Sequence, residues 1–139
     1  MYVDSTVFLL SLLRPERTPS VAACDAFLDS LLRGSRRAST ATLTWDEVTY
    51  IVRREVGPEV SIAKGRDLLD FPHLGWLAVT PEVLRRAEGL YRAIPIRPRD
   101  AIHGAVVLTY GLEGIVSADQ AFDGVPGLVR FDPLKLAGP

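Results

Sequence analysis

An α/β sandwich with a mostly parallel central sheet of four to five short strands, flanked by helices, is the fold this sequence predicts. Short apolar runs (Tyr2-Val3, Gly75–Val79, Ile115–Ser117, Leu128–Phe131) are separated by longer helical stretches, the pattern of parallel strands joined by helical crossovers. Proline opens several helical stretches (Pro58, Pro81, Pro98) and glycine closes others (Gly34, Gly57, Gly111), as helix termini require. No repeat or linker divides the chain, so residues 1–139 form one domain, long enough to bury a core.

The elements follow in order. Tyr2-Val3 is a very short strand, and Ser5 to Leu13 a short helix that ends before the loop Pro15–Pro19. Ser20 caps the next helix, whose Cys24, Phe27, Leu28, Leu31 and Leu32 share a face, and Gly34 stops it. Arg37 to Thr42 is a strand candidate, followed by helices over Leu43–Val56 and Pro58–Asp70. After the Gly75–Val79 strand, Thr80-Pro81-Glu82 starts a helix carrying Val83, Ala87, Leu90 and Tyr91. The Asp100 segment is helical and ends at Gly111; Ile115–Ser117 is a strand, Asp119–Gly124 a turn and Leu128–Phe131 the last strand.

Composition narrows the function classes. With 47% hydrophobic and 24% charged residues the chain is globular. A net charge of -1 provides no global attraction to nucleic acid, so any RNA contact needs a local arginine cluster. Cys24 is alone, which excludes an internal disulfide and fits a reducing cytoplasm. The start lacks a signal-peptide pattern, and no apolar run is long enough to span a bilayer.

Four acids far apart in sequence stand in apolar or boundary contexts. Asp4 follows Met1-Tyr2-Val3, Glu47 sits within Leu43–Val52, Asp100 opens Asp100–Leu108, and Asp119 follows Gly114–Ala118. A carboxylate removed from water costs several kcal/mol, roughly, unless it is paired, hydrogen-bonded or bound to metal. Each also has a local explanation. Asp4 and Asp119 can act as caps of the segments they precede, Glu47 can complete a capping box with Thr44, and Asp100 suits a helix first turn. Two details weigh toward a shared site. Glu47 lies on the inward stripe with Leu43 and Ile51, and the Asp100 helix is apolar nearly all round. Asp4 and Asp119 both follow strands, and ligands in parallel sheets sit beyond strand carboxyl ends.

These residues resemble the PIN-domain family of metal-dependent ribonucleases, in particular the VapC-type toxins of toxin–antitoxin pairs. The resemblance rests on Tyr2-Val3-Asp4-Ser5-Thr6, the Leu43–Val52 segment, Arg97-Pro98-Arg99-Asp100-Ala101-Ile102-His103-Gly104-Ala105 and Ile115–Asp123, and covers essentially the whole chain. It implies a PIN-like three-layer sandwich and a Mg2+ or Mn2+ site built from Asp4, Glu47, Asp100 and Asp119. Asp123 would be an accessory acid and Ser117 a polar support. Asp4 and Asp100 are the first choice for direct ligands, with Glu47 and Asp119 acting through metal-bound waters. Carboxylates suit hard cations, and the chain lacks the Cys and His of a zinc site. Arg97 and Arg99 would offset the acids or hold RNA phosphate, unless they are simply solvated. Arg14 and Arg17 form a weaker second cluster. His103 is expected to pack or to support a neighbour rather than to ligate. Trp45, Trp76, Tyr50 and Tyr91 are expected in the core or against a partner, and Asp46 exposed.

The implied function is a cytoplasmic endoribonuclease, the toxin of a type II pair, with a cognate antitoxin, a homodimeric state and no membrane association. The expected antitoxin is basic and partly disordered, docking on the helices before residue 70, with Phe27, Leu28, Leu31, Tyr50 and Trp45 as apolar surface. A housekeeping RNA-processing nuclease and a non-catalytic interaction module on the same fold are the alternatives. A phosphoacceptor domain would need an Asp after the central strand, which Trp76-Leu77-Ala78-Val79-Thr80 does not provide. An Asp-x-Asp phosphatase is disfavoured by Ser5 and Thr6 after Asp4.

Overall fold

The computed structural model describes residues 1–136. Five strands, all parallel, form one sheet: β1 (Tyr2–Val3), β2 (Ala38–Ala41), β3 (Leu74–Leu77), β4 (Ile115–Val116) and β5 (Arg130–Phe131), in the spatial order β3-β2-β1-β4-β5. Helices α1 (Ser5–Leu13) and α2 (Pro19–Leu32) carry the chain from β1 to β2. Next come α3 (Thr42–Val56) and α4 (Pro58–Leu69), then α5 (Pro81–Ala93) and α6 (Pro98–Thr109) before β4. A 3-10 turn over Gln120–Gly124 links β4 to β5, and α7 (Pro133–Leu136) follows.

The two-residue strands show why the sandwich has three layers. Side chains alternate between faces along a strand, so Tyr2 and Ile115 enter one core while Val3 and Val116 enter the other. The first core includes Val83, Ala87, Ala105 and Val106 of α5 and α6; the second includes Val7, Phe8, Phe27, Leu31, Val48 and Val52 of α1 to α3. From β1 the chain moves outward through β2 to β3, then crosses to the other side of β1 for β4 and β5. The order therefore reverses between β1 and β4, opening a crevice beyond their carboxyl ends.

Several boundaries shift from the sequence reading. Thr18, not Ser20, caps α2: its hydroxyl accepts from the Val21 amide, and Pro19 takes the first helical position. Helix α3 starts at Thr42 with no side-chain cap. The third strand runs Leu74–Leu77, in register with Ala38–Ala41, and the last is only Arg130–Phe131. The Asp119–Gly124 turn is organised as the 3-10 segment. Between β4 and β5 the chains approach so closely at Gly114 that a Cβ there would sit 2.4 Å from the Val129 carbonyl oxygen.

The apolar surface differs from expectation on α2. Phe27 and Leu31 are buried in the core, Leu28 is buried but lines a surface groove, and Trp45, Tyr50 and Tyr91 are exposed. Leu12, Leu32 and Leu69 are exposed as well. Among the described residues no helix is long and apolar enough to cross a membrane.

Candidate active site

Asp4 lies directly after β1, in the crevice where the strand order reverses, and its carboxylate is wrapped by hydroxyls. Ser117 Oγ donates to Asp4 Oδ2 at 2.7 Å, Thr6 Oγ1 donates to the same oxygen at 2.8 Å, and Ser5 Oγ reaches Oδ1 at 3.3 Å. Although Asp4 occupies the cap position of α1, it makes no side-chain cap bond. Burial costs this carboxylate its water, and the hydroxyls replace it. Ser117 is fully buried after β4, and its Oγ also accepts from the Asp119 amide at 3.0 Å.

Glu47 enters from the inward stripe of α3 and is only 9% exposed. Its Oε1 is hydrogen-bonded to His103 Nε2 on α6, and Ser5 Oγ lies 3.4 Å from its Oε2. Because a carboxylate only accepts, Nε2 carries the hydrogen. The other ring nitrogen, Nδ1, lies 2.6 Å from the Tyr2 hydroxyl, which also accepts from the Ala41 amide at 3.2 Å. His103 Nε2 is 3.7 Å from Asp4 Oδ1. Burial alone would depress the imidazole, but Glu47, Asp4 and Asp100 outweigh it and hold the His103 pKa above its ordinary value. The alternative capping-box role of Glu47 is not adopted. Thr44 is occupied by the Thr40 hydroxyl at 2.7 Å, and Glu47 points to His103.

Asp100 stands in the first turn of α6, 8% exposed. Desolvation raises its pKa against the lowering influence of Arg97, assisted by Asp119 and Asp4. Arg97 Nε donates to Asp100 Oδ2 at 2.8 Å and Arg97 Nη2 to Asp119 Oδ2 at 2.9 Å, so one guanidinium joins two of the acids. Asp119 also behaves as a cap, its Oδ1 accepting from the Ala121 amide at 2.9 Å. Arg99 turns elsewhere, its Nη2 lying 4.0 Å from Asp46. Asp123 is exposed and gives both oxygens to Arg130, at 2.7 and 3.1 Å, a pairing that lowers its pKa. Arg130 Nη1 in turn donates to the Ser117 carbonyl at 3.0 Å.

The site is thus a polar network linking Asp4, Glu47, Asp100 and Asp119 through Ser5, Thr6, Ser117, His103 and Arg97. Tyr2, Ser5 and Thr6 are supports the sequence reading did not single out. Ser5 and Thr6 adjoin Asp4 and could have been weighed as its partners. Tyr2 gave no local signal, since His103 lies 101 residues away. The all-oxygen donor set suits a hard divalent cation. Among the described residues, however, no three acid, His or Cys side chains are already arranged as a metal cage. The positive charge beside the acids is supplied here by Arg97, with His103 donating a hydrogen bond to Glu47.

Comparison with known proteins places this geometry. The family model described as PIN domain matches residues 1–128. Among curated proteins, no match was found. The fold is similar to that of Mycobacterium tuberculosis VapC20, a sarcin-ricin loop cleaving toxin, with TM-score 0.72 and 18% identity over 92% of this chain and 95% of that one. It is similar also to VapBC2 from Rickettsia felis bound to a DNA fragment from its promoter (TM-score 0.71, 12% identity, 94% and 96% covered). A third similar structure is a toxin–antitoxin complex from Klebsiella pneumoniae (TM-score 0.65, 16% identity, 95% and 96% covered). The match over nearly the whole chain, on a sheet that brings its four acids to one crevice, makes this protein a member of the PIN domain family.

Proposed function

We propose that the chain is a Mg2+- or Mn2+-dependent endoribonuclease and the toxin of a toxin–antitoxin pair. The observation that carries the reading is the convergence of Asp4, Glu47, Asp100 and Asp119 beyond β1 and β4, three of them nearly buried. Such a group of acids repels phosphate and one another unless a cation joins them. Asp4 and Asp100 would supply direct oxygen donors, with Glu47 and Asp119 acting through metal-bound waters. A bound divalent ion supplies activation of water and stabilisation of charge on the scissile phosphate.

The chain's own residues do the rest. Ser117, Thr6 and Ser5 hold the Asp4 carboxylate in one orientation. His103, braced by Tyr2, fixes Glu47. Arg130 occupies Asp123 and steadies the Ser117 carbonyl, so in this reading Asp123 supports the site through Arg130. Arg99, half exposed and 4.0 Å from Asp46, would meet an RNA phosphate by giving up that exposed pair.

An antitoxin partner is supported by a groove of about 340 Å³ between α1, α2 and α4. Phe8, Leu12, Leu28, Leu32 and Phe71 give it apolar walls, and its rim mixes Asp25, Asp29 and Asp67 with Arg17 and Lys64, the acids in the majority and Lys64 3.5 Å from Asp67. That combination suits a basic amphipathic segment of another protein. We place the partner here rather than on the buried Phe27 and Leu31, and we assign the chain to a cytoplasmic homodimer gripping one antitoxin per protomer. The similar VapBC and toxin–antitoxin structures support the antitoxin partner.

The test is digestion of defined stem-loop RNAs with the metal varied and the cut ends mapped. Cleavage with Mg2+ or Mn2+ that stops on chelation is expected; full cleavage by metal-free protein would overturn the mechanism. Copurification of a small basic protein from the native cells checks the partner.

A further inference from the structure

Arg97 holds an unusual place among the cations around the four acids. Its backbone occupies the cap position of α6, fixed by Pro98 at the first helical position and by the Ala101 amide donating to the Arg97 carbonyl at 2.9 Å. Its side chain is 74% exposed, yet it ends on the Oδ2 atoms of both Asp100 and Asp119. One contact lies within its own helical turn and the other crosses to the segment after β4. His103, by contrast, is fully buried and fixed from both ring nitrogens.

We propose that Arg97 is a resident counter-cation that latches Asp100 to Asp119 and must leave before a divalent ion can bind them. The inference rests on the metal-site reading given above. Magnesium binds carboxylate oxygen at about 2.0–2.1 Å. Guanidinium nitrogens 2.8 and 2.9 Å from the same two oxygens stand where the ion's charge and inner waters must go. Asp119 Oδ1 already accepts from the Ala121 amide at 2.9 Å, so both of its oxygens carry a donor while Arg97 is in place. The two cations therefore exchange. An exposed surface ion pair is weakly held, so the exchange is reversible and sets a threshold metal concentration. Once displaced, the long and exposed Arg97 side chain is released at the rim of the crevice, where a phosphate can take the place of the carboxylates it lost.

Mn2+ affinity of the whole protein, measured by titration calorimetry, tests the latch for wild type, Arg97→Gln and Arg97→Lys. Arg97→Gln is expected to bind Mn2+ about tenfold more tightly than wild type. Arg97→Lys should fall between them, since an ammonium cannot bridge as a planar fork does. Metal-free Arg97→Gln should also melt below wild type, and gain more on adding Mn2+. Circular dichroism confirms that each variant is folded, and Arg97→Lys keeps the comparison available if the glutamine variant is not. Equal or weaker Mn2+ binding by folded Arg97→Gln overturns the latch while leaving the metal site standing. Absence of Mn2+ binding in all three proteins overturns the metal-site reading and the latch together.

Discussion

Glu47 and His103, 56 residues apart on α3 and α6, are joined by a buried hydrogen bond that ties the two helical layers together across the carboxyl edge of the sheet. The imidazole spans the sheet end, with Tyr2 on one nitrogen and Glu47 on the other. Removing one member of such a pair leaves the other buried and uncompensated, which costs about 3–5 kcal/mol. His103→Ala is therefore expected to lower unfolding free energy by about that much in a denaturant titration. His103→Gln, which keeps a donor, should recover part of it. A loss below about 1 kcal/mol for the alanine variant would show that Glu47 is compensated from elsewhere.

Gly114→Ala should destabilise the sheet by about 1–3 kcal/mol, the usual range for overpacking. The added Cβ would meet the Val129 carbonyl oxygen at 2.4 Å and Phe131 Cε2 at 2.7 Å, so β4 and β5 must part. Thermal unfolding of the variant reads this directly. An unchanged melting temperature would mean that β5 detaches at little cost.

Burial pushes the Cys24 thiol up to about 11. A thiol whose folded pKa is raised contributes stability that is fully present below its unfolded pKa, about 8.5. That contribution is lost as pH rises through the folded value near 11. Wild type should accordingly lose more stability than Cys24→Ala between pH 9 and 11, roughly the interval between the two pKa values. At pH 8, roughly half a unit below the unfolded value, a thiol reagent should label the unfolded chain only. Rapid labelling of native protein would contradict the burial of Cys24.

Much of this architecture is legible in the sequence because its signals are local. Pro58, Pro81 and Pro98 begin helices as their fixed φ requires, and Gly34 and Gly111 end them with φ of 71° and 64°. The four acids stand out because Asp4 and Asp119 follow strands, Glu47 sits on an apolar stripe and Asp100 opens an apolar helix. What stayed hidden depends on distance. The capping-box pattern at Thr44 and Glu47 is a valid local motif, but Thr40 and His103 compete for both side chains and win. Asp123 matched the family pattern, and nothing in the sequence showed that Arg130 would claim both its oxygens. Phe27 and Leu31 could be assigned to an apolar face, but not to the core side of it, until α2 was seen against β1 and α3.

Cleavage of a defined stem-loop RNA by wild type and by Asp100→Asn, each with Mn2+ and with chelator, tests the central claim most directly. The substitution keeps the shape of a partly desolvated carboxyl and removes its charge, so stability should stay within about 1 kcal/mol of wild type. Residues that merely orient a metal ligand cost about 10–100-fold when removed. A ligand itself should cost at least about a hundredfold, and the predicted result is Mn2+-dependent cleavage by wild type with that loss in the folded variant. Wild-type cleavage by Asp100→Asn, or cleavage that survives the chelator, would contradict a carboxylate-held metal site in this protein.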